Sequence, residues 1–242
     1  MKNLTLIILT FFFITNFTYS KDEKIIQESL KKIEENYSKH NSITYSVFYK
    51  LKAMRTTNVD FIKAKVEMIR EPNDLHFSSV FWYNLNDTLE KYYDGNMIYS
   101  INHKNKTITT FDAYNGELDG IIQDIDGDVI RVPFSTPEMI TGLNDGVNKF
   151  SYSTSKSNPN LSEIIVRYPN EKSFENIEMQ ITFNNKTYEI IKIFSKFTFR
   201  GELQTTEWNL SQVSYDNVSK EKLSKRFLKY KNKYKIIKYE KI

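Results

Sequence analysis

Between residues 43 and 51 apolar and polar side chains alternate one by one: Ile43, Tyr45, Val47, Tyr49 and Leu51 against Thr44, Ser46, Phe48 and Lys50. A period of two is that of a strand burying one face. Just upstream the period is different. Ile26, Leu30, Ile33 and Tyr37 recur at three and four residues, with Ile25 widening the stripe, which predicts one amphipathic helix over 22–37. The first strand is expected to turn around Arg55 to Val59 into a second over 61–68, ended by the turn chemistry of Arg70-Glu71-Pro72-Asn73-Asp74. A third strand follows over 75–83, with His76, Ser78 and Val80 on one face and Phe77, Ser79, Phe81 and Tyr83 on the other. After punctuation at Asn84 to Asp87, residues 89–93 return. The run YYDGNMIYSINHKNKTITTFD then supplies a tight Asp94-Gly95 turn, a strand over 97–102, a polar turn at 104–106 and a strand over 107–111. Successive short hairpins make a meander.

From Ala113 to Tyr152 the strand pattern lapses. Asp119, Asp124, Asp126 and Asp128 with Gly120 and Gly127 read as a loop. Thr136 and Pro137 then suit the start of a short helix that Gly142 ends, so this is the natural place for a lid. Strands resume over 162–168, 177–183, 188–194, 198–202 and 205–215, with a hairpin signal at Asn184-Asn185 and a break at Gly201. In the tail, Leu223, Phe227 and Tyr230 have helical spacing, whereas 234–239 suits an edge strand, and both readings stay open. Nine to eleven antiparallel strands curl or close rather than stay flat. The fold class is therefore mainly β with helices: a curved antiparallel sheet whose apolar concave face is covered by the N-terminal helix and the mid-chain lid segment.

The ends add a location. Residues 1–20 run from Lys2 through an apolar stretch, Leu4 to Ile14, to small polar residues ending at Ser20, and Lys21-Asp22-Glu23-Lys24 follows. This is the order of a secretory signal peptide. A membrane anchor would need a longer run, unbroken by Thr10, Thr15 and Asn16. A periplasmic or otherwise exported protein is expected after cleavage. The chain has no cysteine, which excludes disulfides, cysteine-based metal sites and lipid attachment to a thiol. Its net charge of +4 is unevenly spread: residues 220–242 hold ten Lys or Arg against Glu221 and Glu240, so the rest is net acidic. The organisation expected is a signal peptide over 1–20, one β domain over 21–217 and a basic, aromatic extension over 218–242.

Little points to catalysis. His40, His76 and His103 form no metal-binding spacing, and no nucleophile elbow or phosphate-binding glycine loop occurs. Asp124-Ile125-Asp126-Gly127-Asp128 misses the calcium-loop spacing and reads as an acidic turn. No enzyme, metal or cofactor is expected. Phe227, Tyr230, Tyr234 and Tyr239 between the tail lysines suit an anionic membrane surface, or else aromatics packed on the sheet. Export argues against nucleic acid, and a monomer is expected. With 33 Phe and Tyr among 242 residues, binding of acyl chains or another apolar ligand is the function left.

The order of elements resembles the outer-membrane lipoprotein carrier family. The likeness is carried by the opening helix and strand, by Arg70 with Pro72, Asn73 and Phe77, and by Tyr93-Asp94-Gly95-Asn96-Met97-Ile98-Tyr99. Phe111-Asp112, Pro137 to Leu143, and Phe199-Arg200-Gly201-Glu202 through Leu210 and Val213 extend it. Similar domains stand before thioredoxin-like domains in exported proteins of Bacteroidetes-type bacteria. The resemblance implies an unclosed barrel with a helical lid and a non-catalytic cavity for lipoprotein acyl chains, with Arg70 at the lid. The candidate ligand-binding residues are Arg70, Phe77, Phe81, Tyr99, Met139 and Ile140. The alternative is an envelope protein-binding or scaffold module without a lipid cavity.

Overall fold

The computed structural model describes residues 21–74, 79–85, 88–112 and 148–239. Helix α1 covers Lys21–Ser38 and is followed by β1 (Ser42–Lys52), β2 (Asp60–Arg70), β3 (Ser79–Leu85), β4 (Leu89–Tyr93), β5 (Met97–Asn102) and β6 (Thr107–Asp112). The second half holds β7 (Lys149–Thr154), β8 (Leu161–Arg167), β9 (Phe174–Asn184), β10 (Ile190–Phe199) and β11 (Glu202–Tyr215). Helix α2 (Lys220–Lys231) and β12 (Lys235–Lys238) end the described chain. All twelve strands form one sheet in the order β12-β6-β5-β4-β3-β2-β1-β11-β10-β9-β8-β7. Neighbours are antiparallel except β12, which runs parallel to β6. The sheet is not closed into a barrel.

Alternation in the strands divides the side chains between two cores. On the inner face Tyr45, Val47, Val66, Met68, Phe81, Tyr83, Tyr93 and Ile98 join Ile164, Val166, Ile181, Phe183 and Ile193 from the other half of the sheet. The α1 stripe predicted from sequence, Ile26, Leu30, Ile33 and Tyr37, is buried in this same cluster. On the outer face Ile69, Val80, Trp82, Tyr92, Ile101 and Ile108 pack with Val218, Leu223 and Phe227 of the C-terminal segment. Extra residues in the pairing bend the sheet. The β1–β11 register shifts between Thr44 and Ser46, where Gln212 has φ 53°, and the β9–β10 register shifts between Lys196 and Thr198, near Asn176 at φ 55°. Such bulges sharpen local twist and curl.

The meander over 89–112 forms as the pattern predicts. Three expectations change. Strand β3 continues through Asn84 to Leu85, past the expected break. Strand β7, paired with β8, begins at Lys149, inside the interruption expected to run to Tyr152. Residues 198–202 are not a separate strand: β10 runs on to Phe199, and Arg200 and Gly201, both at positive φ, turn the chain into β11. In the tail both readings are realised in succession, helix then strand. The proposed lid helix and the acidic 124–128 turn lie outside the described residues.

At the β4–β5 turn the Asp94 carboxylate accepts from the backbone N–H groups of Asn96 and Met97 at 2.9 and 2.8 Å, while Gly95 sits at φ +102°. A Cβ there would meet Val80 at an ordinary 3.9 Å, so the cost of substitution is conformational rather than steric. Gly95→Val is expected to lower unfolding stability by roughly 1–2 kcal/mol, read as a lower urea midpoint with an unchanged slope.

Candidate functional site

The inner face is not buried evenly. Along β1 the inward residues Tyr45, Val47 and Tyr49 are 1%, 4% and 3% exposed, and the next, Leu51, is only half-buried. The same gradient runs through the neighbouring strands. Val66 gives way to Ile62 on β2, Ile193 to Phe197 on β10, and Ile181 to Met179 on β9. These four half-buried residues lie toward one end of the sheet, where the β1–β2, β10–β11 and β8–β9 hairpins turn side by side. At the opposite end α1 is anchored, and its length continues toward β7. Among the described residues the apolar inner surface is thus fully buried at the helix-anchored end and only half-buried toward the hairpin end.

Polar atoms on this surface are few. The hydroxyls of Ser195 and Thr206, paired across β10 and β11, bond to each other. Trp208 stands beside Tyr49 with ring centroids 5.4 Å apart, and its indole Nε1 is buried without a hydrogen-bond partner. A buried donor left unmade costs about 1–3 kcal/mol, so an acceptor arriving with a ligand would be favoured there.

Of the residues proposed from sequence, Arg70 and Phe81 stand on the inner face. Arg70 donates to the carbonyls of Tyr37, at 2.9 Å, and His40, at 3.4 Å, tying β2 to the end of α1. Partial burial lowers its pKa. Phe81 is buried against Tyr93 at 5.4 Å between ring centroids. Tyr99 is not with them: it lies on the outer face, 4.3 Å from the Phe227 ring. Phe77, Met139 and Ile140 lie outside the described residues. Sequence reasoning missed Leu51, Ile62, Met179, Phe197 and Trp208. Their alternation was visible, but it does not say which end of a strand is left uncovered.

Charged groups gather on the outer face. Glu207 is bridged by Lys50 at 2.7 Å and Lys192 at 3.0 Å. Burial alone would raise its pKa, but the two ammonium groups and Asn209 hold it down at about 2. Glu178 is gripped by Arg167 and Lys196 at 2.9 and 3.0 Å, and its pKa is likewise lowered despite burial. An open cleft of about 460 Å³ beside Glu178 is lined by Lys149, Arg167, Lys196 and loop residues. Its carboxylate is already paired with two cations, and charged side chains rim it, unlike the inner surface.

Among the described residues the histidines, His40 and His103, serve as ties. His40 Nδ1 is 2.7 Å from Asp216 Oδ2, and its ring stacks on Tyr215. His103 Nδ1 lies 2.8 Å from the Tyr234 hydroxyl, and its Nε2 is 3.6 Å from Glu90. Among the described residues no group of three or more His, Asp or Glu is placed to hold a metal ion.

No protein-family model and no curated protein matches the chain. Solved structures of similar fold include LprF from Mycobacterium bovis (TM-score 0.45, 8% identity, covering 83% of this chain and 97% of that one). Lipoprotein LppX of Mycobacterium tuberculosis matches with TM-score 0.43 and 10% identity over 81% of this chain and 98% of its own. A putative outer membrane lipoprotein-sorting protein domain from Vibrio parahaemolyticus matches with TM-score 0.36 and 11% identity over 86% and 98%. At these values the likeness carries no argument for function, which rests on the geometry above.

Two outcomes test the ties. Glu207 is depressed from 4.5 to about 2, so its contribution is complete above pH 4.5 and lost as pH falls toward 2. Thermal melts over that window should show Glu207→Gln losing stability less steeply than the wild type. Arg70→Leu removes the guanidinium from the α1 end and should cost about 1–3 kcal/mol, with hydrogen exchange accelerating first in residues 30–38.

Proposed function

We propose that the protein is an exported, non-catalytic carrier that takes an apolar ligand, with lipoprotein acyl chains as the ligand class, at the hairpin end of its inner face. The observation that carries this is the burial gradient: Leu51, Ile62, Met179 and Phe197 continue the core pattern but remain half-buried. An acyl chain needs apolar area rather than chemistry, and removing about 100 Å² of apolar surface from water contributes about 2.5 kcal/mol. The free Trp208 Nε1 suits the carbonyl of an ester or amide at the end of such a chain. Export is supported by the order of residues 1–20.

A second reading, a protein-binding module without a ligand cavity, is favoured by one observation. Phe61, Leu203 and Phe174, at or beside adjacent hairpin turns, are 58%, 43% and 41% exposed. The test is native mass spectrometry of the protein purified from its own cell envelope, with organic extraction of what co-purifies. The carrier reading expects a stoichiometric acyl-bearing species that is lost in Met179→Asp, while circular dichroism is retained. A ligand-free wild-type mass, with no uptake of added fatty acid, would contradict it and favour the binding module.

A further inference from the structure

Phe227, Tyr230 and Tyr234 of the C-terminal segment are consumed by the fold. Phe227 lies on Tyr99 and Tyr92, Tyr230 on Trp82 and His103, and the Tyr234 hydroxyl bonds His103. Arg226 is likewise spent, paired with Glu67 and set 4.7 Å over the Trp82 ring. Ser219 caps α2 by accepting from Lys222 N, and Leu223 is fully buried beneath it. The segment is thus a fixed surface layer over the outer face rather than a loose tail.

What it turns outward is of one charge. Residues 220–239 hold nine cations and one carboxylate, Glu221, although the whole chain has a net charge of only +4. Among the described residues Lys229, Lys231, Lys233, Lys235 and Lys238 have no acidic partner, and all five are exposed. Apolar side chains stand exposed among them: Leu228 (49%), Ile236 (48%), Ile237 (41%) and Tyr239 (38%). Lysines on β12 would by themselves serve to protect a sheet edge from other strands. Alternation puts Ile236 and Lys238, beside Ile108, on the outer side with α2 and turns Lys235 and Ile237 to the other side. Edge protection does not account for Ile236 and Leu228 standing exposed beside these lysines, or for a helix whose charges continue the array.

We propose that the outward side of α2 together with β12 is a docking surface for an anionic lipid bilayer. Lysines of this kind neutralise headgroup phosphates as point charges while their stems lie along apolar surface, and exposed Leu and Ile enter the interface between them. Single-stranded nucleic acid would instead use aromatic faces for stacking, and here Phe227, Tyr230 and Tyr234 are turned onto the sheet. The contact is independent of whether the inner face carries an apolar ligand.

Flotation of the mature chain with phosphatidylcholine vesicles, with and without phosphatidylglycerol, tests it. Binding is expected only with the anionic lipid, and it should be lost on raising the salt from about 0.1 M to about 1 M, which shortens the screening length from about 10 Å to about 3 Å. Neutralising a surface lysine weakens such partitioning roughly fivefold. The combined Lys229→Gln, Lys231→Gln and Lys233→Gln variant should therefore bind roughly a hundredfold more weakly at an unchanged melting temperature. Leu228→Ser with Ile236→Ser should weaken binding while leaving its salt dependence intact. Equal binding to uncharged vesicles, no binding to anionic ones, or full binding by the triple variant would overturn the proposal. Retention on an acidic protein or heparin without vesicle flotation would do the same, and would assign the surface to a macromolecular anion.

Discussion

The structure depends on one helix lying across the inner face of an open sheet. A curved sheet that does not close leaves apolar area facing water unless something covers it, and α1 does so with Ile26, Leu30, Ile33 and Tyr37. Each buried side chain of this kind contributes about 2 kcal/mol. The helix end is fixed to both halves of the sheet. Tyr37 gives its carbonyl to Arg70 of β2, and its hydroxyl accepts from the Ile190 N–H of β10 at 2.9 Å. Burial pushes the Tyr37 phenol up to about 12, so it stays neutral through the physiological range. Just beyond, Asp216 accepts from Asn41 N at 2.8 Å while holding His40. These ties lie at one end of the inner face, and it is at the other end that the inward residues Leu51, Ile62, Met179 and Phe197 are only half-buried.

The outer face is organised differently. Over β2 to β6 it is covered by α2, with aromatic side chains filling the space between helix and sheet. Over β8 to β11 and β1 the outer face is stabilised by cross-strand charges, in which Glu178 and Glu207 each sit between two cations. Each of these clusters holds two cations to one carboxylate, whereas residues 220–239 hold nine cations to one carboxylate. The two proposals, an apolar ligand and an anionic surface, would use opposite sides of one sheet.

Much of this was legible in the sequence because two periods were clean. The 3.6-residue stripe of α1 and the alternation from Ile43 to Leu51 each mark a single buried face, and Asp94-Gly95 fixes its hairpin by chemistry that only a tight turn uses. The failures have physical reasons too. Residues 149–154 alternate weakly, with no apolar residue fully buried, because β7 is a sheet edge. Thr198 to Glu202 looked like a strand because β-formers flank Arg200 and Gly201, and a two-residue turn interrupts the composition very little. Tyr99 and Phe81 carry the same kind of side chain on neighbouring parts of a meander. Which face each takes depends on register across three strands, and a second helix over the outer face makes both faces apolar. The candidate surface at the hairpin end was hidden for a related reason: alternation shows that Leu51 and Met179 face inward, but not that the covering helix is anchored at the far end.

The central claim is that the hairpin end of the inner face, rather than the outer face, receives the ligand. The chain has no cysteine, so single cysteines can be labelled without background. A polarity-sensitive fluorophore at Met179→Cys, with Ser153→Cys on the exposed outer side of β7 as the reference, would be followed during titration with a lipidated peptide. The account predicts a saturable blue shift at position 179 and none at 153. A shift at 153 alone, or none at either position while the peptide binds, would contradict it.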